Sequence, residues 1–142
     1  KVIAWKASES FVKISGGEEP GYYGLVYKNR KEQEQSKNDC GEFAAQAAVA
    51  LAKKNYRADT QARKFYMEGK LPPAHIHRRA TRYAVKRFLS DLHTVWYWTH
   101  YKTLPPMPFV ITHGGHVHYE ISQSFDDVPG LVDALKKRGA AS

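Results

Sequence analysis

The residues from Pro72 to Tyr101, PPAHIHRRATRYAVKRFLSDLHTVWYWTHY, constrain this chain more than any other stretch. Two prolines pre-set φ for a first helical turn, and no further proline intervenes before Pro105. At 100° per residue, Ile76, Ala80, Ala84, Phe88, Leu92 and Val95 form an apolar stripe. Arg78, Arg82 and Lys86 step along the opposite side, flanked by Arg79 and Arg87. A helix over the whole stretch would reach about 45 Å. Its first half is basic. Its second half is aromatic, with Trp96, Tyr97, Trp98 and Tyr101.

Charge decides what such a helix is for. Between Lys70 and Lys102 the only carboxylate is Asp91, so salt bridging within the helix does not account for the cations. A solvated helix face is the plainest alternative, but five cations on a few turns repel one another unless a polyanion lies nearby. Nucleic acid is the simplest such polyanion. The net charge of +8 points the same way, with DNA favoured over RNA, and Arg78, Arg79, Arg82, Lys86 and Arg87 are the expected contacts.

The 142 residues match one domain, 1–142, with a hydrophobic share of 42% and an aromatic share of 13% that suit a folded core. No apolar run approaches the ~18–20 residues of a membrane span, and no signal-peptide pattern is present, although the chain opens at Lys1 rather than Met. A lone cysteine, Cys40, excludes an internal disulfide framework and suits a reducing compartment. These features describe an intracellular, cytoplasmic protein that does not enter membranes.

Along the chain, VIAW, SFVKIS and YYGLVYK are β-branched and aromatic runs divided by Gly16-Gly17 and Pro20-Gly21, and they predict N-terminal strands. KNRKEQEQSKND predicts a polar loop. Asp39 and Glu42 read as a capping pair for a helix over about 40–54, and a further helix over about 58–68 should stop at Gly69. After the long helix, TLPPMP breaks the pattern. PFVIT and HVHYEIS predict a β-hairpin across Gly114-Gly115. Ser124 and Asp127 cap a last helix with Val128, Leu131, Val132 and Leu135 inward and a basic end. The sum is an α+β domain: N-terminal strands, central helices, a C-terminal hairpin and a final helix.

Chemistry concentrates in THGGHVHYE. On a strand His116, His118 and Glu120 share a face, and His113 can return across the turn to join them, a set suited to Mn²⁺ or Zn²⁺ more than to Mg²⁺. Polar residues on the wet side of a hairpin would look the same. His116-Val117-His118 resembles the metal-binding triplet of the HUH endonucleases, which include replication initiators, relaxases and some transposases of mobile elements. The resemblance implies a metal-dependent nickase in which a tyrosine attacks a phosphate to give a 5′-phosphotyrosine. Tyr83, Tyr97 and Tyr101 are its candidates, and Tyr83 stands first because the arginines surround it. The family's second motif, which would place the tyrosine, has no match in this chain. More loosely, the block from Gly69 to Tyr97 is similar to the basic helical parts of transposases.

A second constellation belongs to another class. Cys40 falls at an expected helix start, where free N–H groups favour a thiolate. NDCGEFAAQAA resembles the Asp-Cys-Gly helix start of bacteriocin-processing cysteine peptidases, which implies His116 or His118 as base; Asp126 or Asp127 would orient it. A papain-like hydrolase on Cys40 is therefore the rival to a nucleic-acid enzyme, and a non-catalytic interaction module is a third. His75 and His77 diverge by about 200° on a helix and do not chelate together. His93, Trp96 and His100 share a face and predict a packed aromatic seam, or a stacking surface for single strands.

Overall fold

The computed structural model describes residues 2–53, 56–57, 59–108, 113–114 and 121–140. Six α-helices account for the regular structure among them: α1 (Val2–Ile14), α2 (Tyr22–Asp39), α3 (Ala44–Lys53), α4 (Gln61–Met67), α5 (Pro73–Tyr101) and α6 (Leu131–Ala140), with a 3₁₀ turn at Gln123–Phe125. No strand occurs among the described residues, so the α+β expectation is overturned. The hairpin expected over 108–122 lies for the most part outside those residues. The chain divides into two compact units, 1–86 and 87–142.

The N-terminal runs are helical because their 3.6-residue period is carried by small residues. Ala4, Ala7, Ser8, Glu9, Phe11 and Val12 are the less exposed positions of α1, while the β-branched and aromatic Val2, Ile3 and Trp5 face outward. The hydroxyls of Ser8, within α1, and Ser15, just past its end, donate to the carbonyls of Trp5 and Val12 at 2.6 and 2.7 Å. Gly24 lets α1 and α2 meet: a Cβ there would stand 3.2 Å from the side chain of Ile14 and from the backbone of Ser15.

The polar stretch read as a loop is most of α2. Its buried positions are Gly24, Tyr27, Glu34 and Asn38, spaced at three, seven and four residues, a helical stripe written in polar letters. Each buried polar side chain finds a partner. The Tyr27 hydroxyl shares a 2.8 Å hydrogen bond with His77 Nδ1, Glu34 meets Arg79, and Asn38 binds the backbone of Leu71. Helix α2 ends in a glycine cap at Gly41 (φ +79°), with Glu42 N–H donating to the Lys37 carbonyl and Gly41 N–H to that of Asn38. Gly69 (φ +72°) stops α4 in the same way, as its sequence predicts.

Phe43, Ala47, Tyr66, Leu71 and Ile76 form one core cluster of unit 1–86, and Tyr27, Ala80 and Ala84 a second, with Phe11, Val12 and Val26 against it. The alanines, fully buried, let helix axes approach closely. In unit 87–142, Phe125, Leu131 and Leu135 are the core, and Val95, Trp98, Leu104, Val128 and Val132 pack on it. Ser122, rather than Ser124, caps the 3₁₀ turn, and the final helix begins only at Leu131.

Helix α5 runs over the expected span, but its apolar stripe is only half right. Ile76, Ala80 and Ala84 are buried, whereas Leu92 is 50% exposed and Asp91 and Thr94 are buried in its place. A ladder of i+4 steps advances about 40° per step on a helix of 3.6 residues per turn, so Leu92 is turned about 160° from Ile76. No described helix is long and apolar enough to cross a membrane.

Candidate nucleic-acid interface

The site of interest lies within unit 1–86 and is built from α2 outward. Arg30 and Glu34 stand one turn apart on α2 and form an ion pair. Glu34 is 1% exposed and also receives Arg79 from α5. Burial pushes its carboxyl up, but the Arg79 hydrogen bond and the charges of Arg30 and Arg79 outweigh that, and the carboxyl sits below its usual range. The two arginines are held from behind by aromatic rings: Arg79 lies 4.5 Å over the Phe43 ring and Arg30 4.6 Å over that of Tyr83. Arg30 Nε is buried without a hydrogen-bond partner among the described residues.

Five unpaired cations are thus reduced to three. Arg79 is engaged by Glu34, a carboxylate from another helix that no pattern within α5 reveals. Arg87 falls in the other unit, where it pairs with the buried Asp91 at 3.3 Å; Asp91 also accepts from Ser124 Oγ at 3.4 Å. Arg78, Arg82 and Lys86 form no ion pair with any described residue.

Arg82 and Lys86 form a ridge between two grooves. On one side a polar groove of about 350 Å³ is lined by Arg30, Glu34, Arg79 and Tyr83 together with the ridge. On the other a groove of about 660 Å³ runs between α1 and α5, with Trp5, Glu9, His77, Arg78 and Val85 on its walls. Tyr83 is 37% exposed and lies among the arginines. Trp5 is a residue that the strand reading of the N-terminus missed, since only a helix brings it beside α5.

The other candidates fare differently. Cys40 is exposed and is the C-cap of α2, not the first turn of a helix. It therefore sits at the carbonyl end, where the macrodipole is negative, and the physical case for a helix-start nucleophile is lost. The Asp39–Glu42 capping pair dissolves with it: Asp39 accepts from Lys70 at 3.4 Å and from Gln35, while Glu42 pairs with Lys37 at 3.7 Å. His116, His118 and Glu120 lie outside the described residues; His113 is described and exposed. No group of three or more metal-ligating side chains occurs among the described residues.

His75 and His77 diverge as expected, His77 to Tyr27 and His75 to the Tyr66 hydroxyl at 3.4 Å. Burial, with a hydrogen bond to Tyr56 and that neighbour's charge, pushes the Tyr66 hydroxyl up to about 12 against the opposing effect of Arg78. The seam expected over His93, Trp96 and His100 is not packed, because Trp96 is 67% exposed. Trp98 instead turns inward and donates from Nε1 to the Pro129 carbonyl at 3.1 Å. The rings of Tyr97 and Tyr101 meet at a tilt of 45° with centroids 4.6 Å apart. No family model matches the chain, and no significant match was found among curated proteins or solved structures.

Proposed function

We propose that the chain binds nucleic acid through the ridge formed by Arg82 and Lys86, with Arg78 beside it. The observation that carries this reading is the contrast within one helix: Arg79 is neutralised by a buried carboxylate, whereas Arg78, Arg82 and Lys86 are left to solvent with no described ion-pair partner. A helix that needed charge only for solubility would lose little by pairing them. Phosphates are the ligand that repays leaving such charges unpaired. Arg30 and Arg79, fixed by Glu34 and by aromatic faces, line the polar groove beside the ridge.

Fluorescence anisotropy with a labelled oligonucleotide tests this. Three phosphate contacts predict a slope of about −2 to −3 in log K against log salt. Arg82→Glu with Lys86→Glu should abolish binding while the far-UV circular dichroism spectrum stays unchanged, since neither side chain contributes to a core cluster. Unaltered affinity in that double variant refutes the reading.

A further inference from the structure

The groove between α1 and α5 has a different chemistry from the polar one across the ridge. Its walls include Ala4, Trp5, Ala74 and Val85, and its rim on α5 carries Arg78, Arg82 and Lys86 against a single carboxylate, Glu9. Trp5 is 62% exposed although tryptophan is the largest apolar side chain the chain possesses, so its ring is not spent on the core. The volume of about 660 Å³ falls within the range of pockets that enclose small organic ligands, large enough for one base with its sugar.

An exposed indole next to unpaired cations matches one feature of nucleic acids in particular. In a duplex the bases are stacked inside, and a protein meets phosphates and groove edges; an indole beside the cations would have no π-face to cover it. In a single strand each phosphate is followed by an unstacked base, and aromatic side chains next to a cationic track take up those bases. We infer that the α1–α5 groove holds an unpaired base of a single strand, stacked on Trp5, with the flanking phosphates on Arg78, Arg82 and Lys86. This rests on the nucleic-acid reading above and adds to it the strandedness of the ligand and the residue that reads it.

Anisotropy titrations with a labelled oligothymidine and with a duplex of the same length decide the matter. The single strand should bind about tenfold tighter or more. Trp5→Leu, which keeps apolar bulk without a π-face, should weaken the single strand by roughly 5- to 150-fold and leave the duplex unchanged, as expected for loss of one base stack. Trp5→Phe should restore most of the affinity, and circular dichroism checks that both variants stay helical. Equal affinity for the two probes, or an unaffected single strand in Trp5→Leu, overturns the inference while leaving the basic ridge in place. Competition by polyglutamate as effective as by oligothymidine also overturns it, because that polymer has no bases. Loss of binding in the ridge variant together with retained single-strand preference in the parent chain supports both. Failure of both probes to bind removes both.

Discussion

Asn38 and Leu71 are paired as two residues of a sheet would be: the Asn38 amide donates from Nδ2 to the Leu71 carbonyl at 2.9 Å and accepts at Oδ1 from the Leu71 N–H at 2.7 Å. Both are buried, and the pair ties the end of α2 to the extended residues just before α5. One side chain here satisfies both backbone groups of a residue that lies in no helix. Asn38→Ala should strand those two groups and destabilise the protein by about 2–3 kcal/mol in chemical denaturation. Asn38→Asp is the sharper variant. It keeps the acceptor but sets an oxygen against the Leu71 carbonyl, so a cost no smaller than that of alanine is expected.

Glu34 predicts an acid limb in stability. Its carboxyl is held below the ordinary range in the folded chain, so its stabilisation is present above the unfolded value near 4.5 and is lost as pH falls through the lower folded value. Melting temperatures measured from neutral pH down to pH 3 should therefore fall more steeply in the parent chain than in Glu34→Gln. Parallel curves for the two proteins would show that Glu34 contributes nothing to the acid limb.

The cations of α5 should separate into two classes on mutation. Arg79→Ala leaves Glu34 with Arg30 alone and should lower stability by roughly 1–3 kcal/mol, while Arg82→Ala should change it by less than about 0.5 kcal/mol. Oligonucleotide affinity should respond more strongly to Arg82→Ala than melting does. Equal loss of stability in the two variants would contradict the division between an engaged and an open cation.

Lys102 ends α5 with φ +56°, a left-handed conformation that a side chain adopts at a cost. Its N–H donates to the Trp98 carbonyl at 2.9 Å, so the conformation is fixed by the helix end it closes. Lys102→Gly should raise stability by about 0.5–1 kcal/mol in denaturant titration, as the strain of a Cβ is removed. A lower midpoint would show that the lysine side chain holds the helix end in some other way.

The long helix was legible in the sequence because its signals are local: a proline pair opens it, and alanine and isoleucine repeat at helical spacing. What lay beyond reach was whatever depended on a neighbour. Glu34 sits 45 residues from Arg79, so counting acids within α5 left the arginine falsely free. The polar stripe of α2 resembled a loop because hydrophobic periodicity is the usual sign of a buried face, and here Tyr27, Glu34 and Asn38 carry the period instead. The N-terminal strands failed for the opposite reason. Val2, Ile3 and Trp5 looked like core and are surface, while Ala4 and Ser8, which propensity hardly notices, face inward. Cys40 turned on a few residues of boundary: moving the helix start from 40 to Ala44 puts the thiol at the opposite pole of a helix dipole.

The polar contacts of α2 also restrict how that helix can be mispacked. An oily interface tolerates sliding, since one leucine serves about as well as the next. Here a slip of one turn, about 5.4 Å, would part Tyr27 from His77, Glu34 from Arg79 and Asn38 from Leu71 at a single stroke. Tyr27, Glu34, Asn38 and Leu71 are buried, so their polar groups would be left with nothing to meet them, and the three penalties arrive together. These contacts hold α2 in register alongside the packing of Tyr27 and Val26, which lets a sequence rich in lysine, glutamine and glutamate occupy a defined place with few apolar side chains.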